Sequence, residues 1–433
     1  MEPLFLQALR DPFIPGTNSR YIYIENQVEL DLSYLENIPI IAGVTLAGGR
    51  TPRQPGPRLY TTTRPHVLFS IDGDNVRISG VRIQGPDMGV AGRDDKPKGI
   101  HINSHVNVEI AYNEISGWSG AAVEVKDNDE RIDYVLNPET VRIHDNYIHH
   151  NQHVGTHGYG VVVGDGAYAL IERNVFDYNR HAIAGDGSNG SGYQAYRNLV
   201  LEHGGYHDTY NACDLPDWVA LVSPGTWIVA KALCLIPGSS PSYVHYTHQF
   251  DMHGQENCGI SGAFNDAALN CGTTGEYMDI QYNSFFYTKG NAIKLRGTPE
   301  VGMFVDANVF AHDTLLDDGI LREYAVAQTE SGLFLGNNQA RVNGMNELST
   351  CDFDGDGIND LFLATGQTWW YSSGGDKPWV YLNTSTKHRS QVSLGFFDGD
   401  NICDVSVDGV IYPGGKPKKL PVNSLPPGGG VLQ

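Results

Sequence analysis

Short segments in which apolar and polar residues alternate recur along the middle of the chain. Five of them share one register: residues 122–126, 160–164, 182–186, 249–253 and 292–296. Their second and fourth positions are apolar or glycine in every copy. Successive side chains of a strand point to opposite faces. Each copy is therefore predicted to be a strand with one face on a core and with its first, third and fifth positions on the other face.

A second repeating segment has an asparagine after a short apolar stretch. The six asparagines are Asn113, Asn146, Asn174, Asn198, Asn283 and Asn308. The intervals from Asn146 to Asn174, from Asn174 to Asn198 and from Asn283 to Asn308 are 28, 24 and 25 residues, which is a solenoid period. Asparagine suits a tight bend because it tolerates the left-handed backbone conformation, and stacked asparagines can hydrogen-bond to one another. Two or three short β segments per period, without helical periodicity, predict an all-β solenoid.

This organisation resembles the right-handed parallel β-helix of pectate-lyase-like proteins, including bacterial β-helix proteins, over roughly residues 25–340. Residues 28–32 and 41–49 are similar to that family's entry into its first coils. The resemblance implies a right-handed parallel β-helix over residues 1–345, with a polysaccharide-binding groove on one sheet. Residues 206–247 interrupt the repeat, and we expect them to form an inserted loop beside that groove.

After about residue 345 the alternating pattern is replaced by closely spaced aspartates. The candidate ligands of one cation are Asp352, Asp354, Asp356, the backbone carbonyl of Ile358, and Asp360. This spacing directs several hard oxygen ligands at one point, so it predicts a structural Ca²⁺ site. The segment resembles an FG-GAP (integrin-type) repeat, which implies a small calcium-binding β module at residues 346–413.

A second, less complete copy of the aspartate segment follows. It retains Asp398, Asp400 and Asp404, but Phe396 stands at its first ligand position. We therefore expect this copy to bind Ca²⁺ more weakly or not at all. The proline- and glycine-rich residues 414–433 are predicted to be a flexible tail.

The net charge of the chain narrows the range of partners. The 433 residues include 50 acidic and 29 basic side chains, for a formal charge of −21. A negative surface repels nucleic acid and anionic membranes, so neither is expected as a partner. No segment has the length of an apolar transmembrane helix. We expect a monomer that binds a polysaccharide.

The cysteines predict the compartment. The six fall in three pairs along the sequence, namely Cys213 with Cys234, Cys258 with Cys271, and Cys351 with Cys403. An even number of cysteines in loops is typical of disulfides in exported proteins. We therefore expect a secreted protein whose signal peptide has been removed from this chain.

The candidate chemistry lies on the polar face of the last three copies. Their third and fifth positions hold Asp186, Asp251, His253, Lys294 and Arg296. Neighbouring strands of a parallel sheet are about 4.8 Å apart, so these side chains are predicted to form one patch on the outside of the solenoid. His181, which opens the strand that ends in Asp186, joins the catalytic candidates.

The first interpretation of the patch is a polysaccharide lyase that breaks a uronic acid chain by β-elimination. His253 would be the base, while Arg296 and Lys294 would neutralise the carboxylate as the enolate forms. Further candidate substrate contacts are His248, Glu124, Lys126 and Trp218. We favour a lyase narrowly, because two cations stand together in a chain that is short of them.

Two other kinds of site fit the same residues. An inverting glycoside hydrolase would use Asp186 and Asp251. Strand geometry predicts roughly 8 Å between them, within the separation of about 6.5–9.5 Å that inversion requires. A metal centre would combine the mixed donors of His248, Asp251 and His253, with His181 in reach, and would suit Zn²⁺ or Mn²⁺.

Two interpretations without catalysis complete the set. Opposite charges on neighbouring strands can form a surface ion-pair ladder that stabilises the sheet weakly. The patch can also serve a carbohydrate-binding or surface-attachment protein. Val162, Gly164 and Ala184 occupy the equivalent positions of the preceding copies, so charge is not the rule on this face. That observation argues against the ladder.

Overall fold

Three long parallel sheets, named A, B and C, form the body of the molecule. The computed structural model describes residues 2–10, 20–91, 95–126, 141–153, 157–204, 206–211, 232, 234–236, 242–257, 270–317, 324–328, 330–342, 347–414 and 431–432. Each coil of the chain contributes one strand to sheets A, B and C in turn, and each strand pairs in parallel with its equivalent in the next coil. The predicted all-β parallel β-helix is confirmed.

The strands of the solenoid are short. Sheet A contains Arg20–Ile24, Val44–Gly48, Arg77–Ser79, Glu109–Ala111, Val141–His144, Tyr168–Glu172, Gly192–Tyr196, Tyr277–Gln281, Gly302–Asp306, Leu333–Leu335 and Val431–Leu432. Sheet B contains Glu29–Asp31, Arg58–Tyr60, Arg82–Gln84, Glu114–Ser116, Tyr147–Asn151, Val175–Asn179, Leu199–Val200, Ser284–Phe285 and Val309–Phe310. Sheet C contains Ile38–Ile41, Val67–Asp72, Lys98–Asn103, Ala121–Lys126, Tyr159–Gly164, His181–Gly185, Phe250–Met252, Ile293–Leu295 and Val326–Gln328.

The inward side chains of the three sheets form one apolar core along the solenoid. Within one coil, Ile78, Ile83 and Ile100 come from sheets A, B and C and are completely buried. Each such side chain contributes about 1.5–3 kcal/mol by burial. The N-terminal helix Glu2–Arg10 places Phe5 in the same core, as expected of a cap on a solenoid end. No helix in the described ranges is both long and apolar enough to cross a membrane.

A ladder of buried asparagines follows the turn between sheets A and B. The backbone N–H of Asn146 donates to Asn174 Oδ1 at 3.1 Å, and that of Asn174 donates to Asn198 Oδ1 at 2.9 Å. The sequence predicts that the asparagine of each turn adopts the left-handed backbone conformation. In the structure the residue before the asparagine adopts it instead: φ is 55° at Asp145 and 53° at Arg173. Asparagine is required instead because its amide pairs with buried backbone groups of neighbouring coils.

The interruption at residues 206–247 begins and ends in an antiparallel ribbon, Tyr206–Asn211 with Ser242–Tyr246. The chain then returns directly to sheet C at Phe250–Met252. A second ribbon, Glu256–Asn257 with Asn270–Cys271, follows that strand. Trp218, a predicted substrate contact, lies outside the described residues.

The C-terminal residues form two antiparallel sheets. The first contains Ser349–Cys351, Asp360–Ala364, Thr368–Ser372 and Val380–Thr384, and the second contains Ser393–Gly395, Asp404–Val407 and Val410–Tyr412. Two 3₁₀ turns, Ser373–Gly375 and Arg389–Gln391, lie between these strands. The predicted disulfide Cys351–Cys403 is present. Cys234 and Cys271 are disulfide-bonded too.

This C-terminal module is packed onto the corner between sheets A and B. One buried apolar cluster joins Leu363 and Trp370 of the module to Val175, Leu199 and Phe286 of the solenoid. Arg197 Nε also donates to Thr384 Oγ1 at 2.8 Å across the boundary. An apolar contact of this kind holds the module in a fixed position on the solenoid.

The end of the chain returns to the solenoid. Val431–Leu432 pairs in parallel with Arg20–Ile24 at the edge of sheet A. The flexible tail expected at residues 414–433 therefore does not include these two residues, because the free edge of sheet A offers them backbone partners. Residues 415–430 are not among the described ones, and for them the expectation stays a prediction.

Candidate functional site

The strand register of sheet C brings the predicted polar rows together. Ala184, Asp251 and Lys294 are paired in register across three neighbouring strands. Continued one residue beyond the last pair, Met252 with Leu295, the same register places His253 beside Arg296. The strand alignment inferred from the sequence is therefore the alignment of the structure, and the outer face of sheet C is the candidate site.

In three of the five copies the first position, which is Ala122, Ala182 or Ala292, faces the core and not the outer face that strict alternation predicts. Ala182 and Ala292 belong to the central apolar core, as do the residues that follow them. Two consecutive inward residues mean that the chain bends as it enters the strand, so the outer row begins one residue earlier, with Tyr159, His181 and His248. The rings of Tyr159 and His181 stack at 5.6 Å, and those of His181 and His248 lie 4.4 Å apart.

Arg296 and Asp251 form a buried, two-pronged ion pair at the centre of the site. Arg296 Nε donates to Asp251 Oδ1 at 2.9 Å, and Arg296 Nη2 donates to Asp251 Oδ2. Both side chains are completely shielded from solvent. Removing two charges from water is costly, and the paired geometry offsets that cost. We call Asp251, Arg296, His248 and His253 the Asp251 cluster.

The geometry assigns different tautomers to the two histidines of the Asp251 cluster. His248 Nε2 lies 2.8 Å from Arg296 Nη2 and 3.1 Å from Asp251 Oδ1, so the shorter contact makes it an acceptor from Arg296. Both protons of Arg296 Nη2 are then used, one on Asp251 and one on His248. His253 Nε2, 2.7 Å from Asp251 Oδ2, must therefore donate to Asp251. This assignment leaves the lone pair of His253 on Nδ1.

The electrostatic environment keeps both histidines neutral. Burial lowers the pKa of His253, and the Arg296 guanidinium lowers it further. Burial lowers the pKa of His248 to about 3. Burial alone would raise the pKa of Asp251, but Arg296 and the two imidazoles hold it well below its usual range. At neutral pH the cluster therefore contains a carboxylate, a guanidinium and two neutral imidazoles.

Two buried polar atoms beside the ion pair are unpaired. Arg296 Nη1 and His181 Nε2 have no hydrogen-bond partner among the residues that the structure describes. His181 Nδ1 donates to the His248 carbonyl at 2.7 Å, so Nε2 carries the His181 lone pair. Leaving a buried donor or acceptor unpaired costs about 1–3 kcal/mol, which a ligand oxygen near either atom would reduce.

A divalent metal does not fit the Asp251 cluster. The ligand atoms of His181, His248 and Asp251 do lie within 4.8 Å of one another. Both Asp251 oxygens, however, are engaged by Arg296, whose charge already balances the carboxylate. A metal would have to displace this guanidinium and leave it buried without a counter-charge. The expected metal centre of His248, Asp251 and His253 therefore lacks a free carboxylate.

Asp186 is not brought into the cluster. Its carboxylate accepts the backbone N–H groups of Asp165 at 3.0 Å and Ser188 at 2.9 Å. It occupies the space over Gly164, where a Cβ would overlap with it. The sequence predicts His253 between Asp186 and Arg296, but Asp186 instead closes the turn after its strand, because backbone N–H groups hold its carboxylate.

Glu124 forms a second charged group on the same face of sheet C. It accepts from Lys98 Nζ at 2.6 Å and lies 2.8 Å from His101 Nδ1. Burial would raise the pKa of Glu124, but hydrogen bonds from His101 and Lys98 lower it to about 2. Val162 and Ala184 cover the strands between Glu124 and the Asp251 cluster and form an apolar floor. The strand spacing puts roughly 14 Å between the two charged groups.

The two predicted lysines lie at the edges of this floor. Lys126 Nζ donates to Asp165 Oδ2 at 2.7 Å and is thereby held by the turn that Asp186 closes. Lys294 is half-buried and stands next to Asp251 in the strand register. The outer face of sheet C thus has positive side chains around a floor of small residues.

The first aspartate-rich loop of the module brings three carboxylates together. Oxygens of Asp352, Asp354 and Asp356 lie within 4.8 Å of one another. Asp352 accepts backbone N–H groups of the loop, but neither oxygen of Asp354 has a hydrogen-bond partner among the described residues, although both are buried. The Nη2 of Arg53, from the solenoid, lies 3.1 Å from Asp354 Oδ1. This donor set of hard oxygens fits Ca²⁺.

Asp360, another predicted ligand of the first loop, is held by the backbone. Its carboxylate accepts the backbone N–H groups of Phe353 at 2.7 Å and Gly374 at 2.9 Å and so stabilises the loop conformation. In the second copy, the three predicted ligands do come together: oxygens of Asp398, Asp400 and Asp404 lie within 4.8 Å of one another. The backbone carbonyl of Ile358 stays a predicted ligand.

Sequence reasoning missed two arginines. Arg180 precedes His181, is almost fully buried, and lowers the pKa of His253. It lies two residues before the repeat copy that begins at Ala182, outside the five aligned positions, so the repeat did not point to it. Arg53 comes from a proline-rich loop without a periodic pattern, and its contact with Asp354 joins distant parts of the chain. No local signal predicts such a contact.

Comparisons with known proteins add little to this geometry. A scan against protein-family models finds no match, and a search of curated proteins finds none either. Among solved structures, the chain is similar to an alginate lyase from Paenibacillus sp. str. FPU-7, with 12% sequence identity and a TM-score of 0.35. The similarity covers 77% of this chain and 95% of that structure. A likeness at this level supports no statement about function.

Proposed function

We propose that the protein is a secreted polysaccharide lyase that cleaves a uronic-acid-containing chain by β-elimination on the outer face of sheet C. The observation that carries this proposal is the neutral His253, which donates Nε2–H to Asp251 and has its lone pair on Nδ1. An imidazole in this state is a base at neutral pH, and the carboxylate behind it stabilises the imidazolium that forms. Secretion is supported by the disulfide Cys351–Cys403.

The proposed reaction needs a base and a positive charge. His253 Nδ1 takes the proton from the carbon next to the uronate carboxylate, a ring double bond forms, and the glycosidic oxygen leaves as its bond to the ring breaks and takes up a proton from solvent. A cation near the carboxylate stabilises the enolate as it develops. We assign that role to Lys294, which is partly exposed, whereas the buried Arg296 acts through Asp251 as a positioning residue.

An inverting hydrolase fits the site less well. Such an enzyme needs a carboxylic acid with a raised pKa to protonate the leaving group. Arg296 holds the pKa of Asp251 well below its usual range and engages both of its oxygens. Asp186 is committed to backbone N–H groups of its turn. Neither carboxyl group is therefore poised as a general acid.

The test is a screen of acidic and neutral polysaccharides with Ca²⁺ present. In each reaction the ultraviolet absorbance and the concentration of reducing ends are measured together. A lyase leaves an absorbing unsaturated uronic product, so both signals must rise together on an acidic substrate. Reducing ends without absorbance would favour the hydrolase. Sugar binding without either signal would favour a carbohydrate-binding or surface-attachment protein.

We also propose that the first aspartate-rich loop binds a structural Ca²⁺ through Asp352, Asp354 and Asp356. The two buried oxygens of Asp354 support this proposal, because neither has a hydrogen-bond partner among the described residues and a cation would satisfy both of them. Bound Ca²⁺ would supply the positive charge that the loop lacks. The second loop, with Phe396 at its first position, is proposed as a weaker site. Calorimetric titration of Ca²⁺ into the protein and an Asp354→Asn variant tests the assignment.

A further inference from the structure

A cavity of about 240 Å³ lies where the C-terminal module meets the corner between sheets A and B. The solenoid contributes Arg50, Tyr112 and Tyr147 to its lining, and the module contributes Trp379 and Tyr381. None of these residues belongs to sheet C or to the Asp251 cluster. The cavity is therefore separate from the site of the proposed lyase reaction.

Aromatic rings from both parts of the molecule form the walls of the cavity. Tyr112 and Tyr147 come from the solenoid, whereas Trp379 and Tyr381 come from the module. The guanidinium of Arg173 lies 5.9 Å from the centre of the Tyr381 ring and supports that wall. Rings that have an apolar face and a polar edge suit a ligand with C–H faces and peripheral oxygens, such as a sugar.

Several polar atoms of these walls have no hydrogen-bond partner among the described residues. Within the described chain, no hydrogen bond is made by the hydroxyls of Tyr112 and Tyr147, by Trp379 Nε1 or by Arg50 Nη2. Burial raises the pKa of Tyr112 to about 12, so this hydroxyl keeps its proton at neutral pH. A ligand that pairs with these groups must be rich in acceptor oxygens.

The charges around the cavity favour an acidic ligand. Arg173 is neutralised by Asp145, to which its Nε and Nη2 donate at 2.9–3.2 Å. Arg50 is paired less closely, because its Nε lies 3.6 Å from Glu114 Oε2. Burial lowers the pKa of Arg50, and the nearby Glu114 carboxylate offsets only part of that effect. A ligand carboxylate beside Arg50 would complete that balance.

The size of the cavity is sufficient for one ring. A cavity of about 150 Å³ accommodates benzene, so 240 Å³ has room for one substituted six-membered ring. We propose that this cavity binds a single pyranose ring of an acidic sugar, either a free monosaccharide or the end of a glycan chain. The choice of an acidic sugar agrees with the proposed lyase function, but the binding site does not depend on it.

The experiment is a calorimetric titration of the full chain with galacturonate, with galactose as the matched neutral sugar, and with a linear galacturonate trisaccharide. We expect saturable binding of galacturonate and weaker binding of galactose. Equal binding of trisaccharide and monosaccharide identifies a chain end, and binding of the monosaccharide alone identifies a free sugar. Binding of the trisaccharide alone would contradict the proposal, because it would indicate a groove. Equal affinity for galactose would overturn the acidic preference.

Variants locate the binding in the cavity. Tyr147→Phe removes one hydroxyl and keeps the ring, so it is expected to weaken galacturonate about fivefold, the usual effect of one neutral hydrogen bond. Trp379→Ala is expected to abolish binding, and Tyr34→Phe, which changes a highly exposed ring, to have no effect. Wild-type affinity in both cavity variants, or no saturable binding to the native protein, would overturn the proposal. A His253→Ala variant that still binds galacturonate separates this site from the lyase proposal.

Discussion

Asp251 and Asp354 are both buried carboxylates, and the fold surrounds them in opposite ways. Asp251 receives two donors from Arg296 and one from His253, all within the solenoid. Asp354 has no hydrogen bond in the part of the chain that the structure describes, and it forms an ion pair with the Arg53 guanidinium while two further carboxylates lie close by. One carboxylate is fully paired by protein groups, while the other is only partly balanced.

The difference teaches how to interpret a buried acidic group. A carboxylate whose lone pairs are filled by an arginine and a histidine has a fixed position and a low pKa, so it orients its neighbours and does not exchange protons. A carboxylate that the fold leaves unpaired is stabilised by a ligand from outside. Asp251 therefore supports the proposed base His253, and Asp354 supports the proposed Ca²⁺ site.

The largest expected effect comes from breaking the Asp251 pair. Arg296→Met keeps the side-chain volume but leaves a buried carboxylate without its cation, which is expected to lower the free energy of unfolding by about 3–5 kcal/mol. Urea unfolding measures this loss of free energy. Arg142→Met is the matched control, because Arg142 is 43% exposed and pairs with Glu172 at 3.4 Å. Equal losses in both variants would contradict the account, as would failure of Asp251→Leu to restore stability to Arg296→Met.

The next effect concerns the carboxylate that lacks partners. Ca²⁺ at a concentration about a hundredfold above its Kd is expected to raise the free energy of unfolding by about 2.7 kcal/mol. Asp354→Asn is expected to remove most of this stabilisation, and Asp398→Asn only a small part. Thermal unfolding with Ca²⁺ and with a chelator provides the measurement. An unchanged response in Asp354→Asn would exclude the first loop as the site.

Acid is expected to weaken the fold through His248. Its pKa is about 3 in the folded protein against 6.5 as the ordinary value, so below pH 6.5 the unfolded chain binds a proton that the folded protein does not. The contribution of His248 to the free energy of unfolding is therefore fully present above pH 6.5 and is lost as the pH falls toward 3. The expected loss between pH 7 and pH 5 is about 2 kcal/mol. Urea unfolding at both pH values checks this. His248→Gln should reduce the difference in unfolding free energy between the two pH values. His203→Gln, which changes an exposed histidine, should not. An equal pH dependence of stability in the two variants would contradict the assignment.

The smallest effect tests the charge that now faces Asp354. Arg53 is 42% exposed, so its repulsion of a bound cation is weakened by solvent. Arg53→Gln is expected to tighten Ca²⁺ binding about three- to tenfold at low ionic strength, with less gain at high salt. Calorimetric titration gives the ratio, and Arg58→Gln, whose partner is Glu29, is the control. Weaker binding in Arg53→Gln would mean that Arg53 supports the site.

The repeating parts of the molecule are predictable from the sequence because they depend on local periodicity. The strand register of Asp251 and Lys294 and the ladder through Asn174 follow from spacing alone. The repeat did not predict the bend at Ala182, since alternation assumes a straight strand. That bend moves His181 to the outer face and gives it a direct contact with His248.

The parts that depend on competition between partners were not predictable. Asp186 has the right position for the cluster, yet its carboxylate is taken by the N–H groups of Asp165 and Ser188. Asp360 is similarly taken by the N–H of Phe353. A sequence gives the row in which a side chain lies, but the nearest donor in the folded chain decides where its carboxylate points.

The most direct test of the central claim is turnover by a His253→Ala variant on an acidic polysaccharide that the native protein cleaves. We predict that the rate of unsaturated-product formation falls at least about a hundredfold, the usual contribution of a general base, while the substrate is still bound. His105→Ala, which changes a histidine paired with Asp74 away from the cluster, should keep the native rate. Native turnover in His253→Ala would contradict the account.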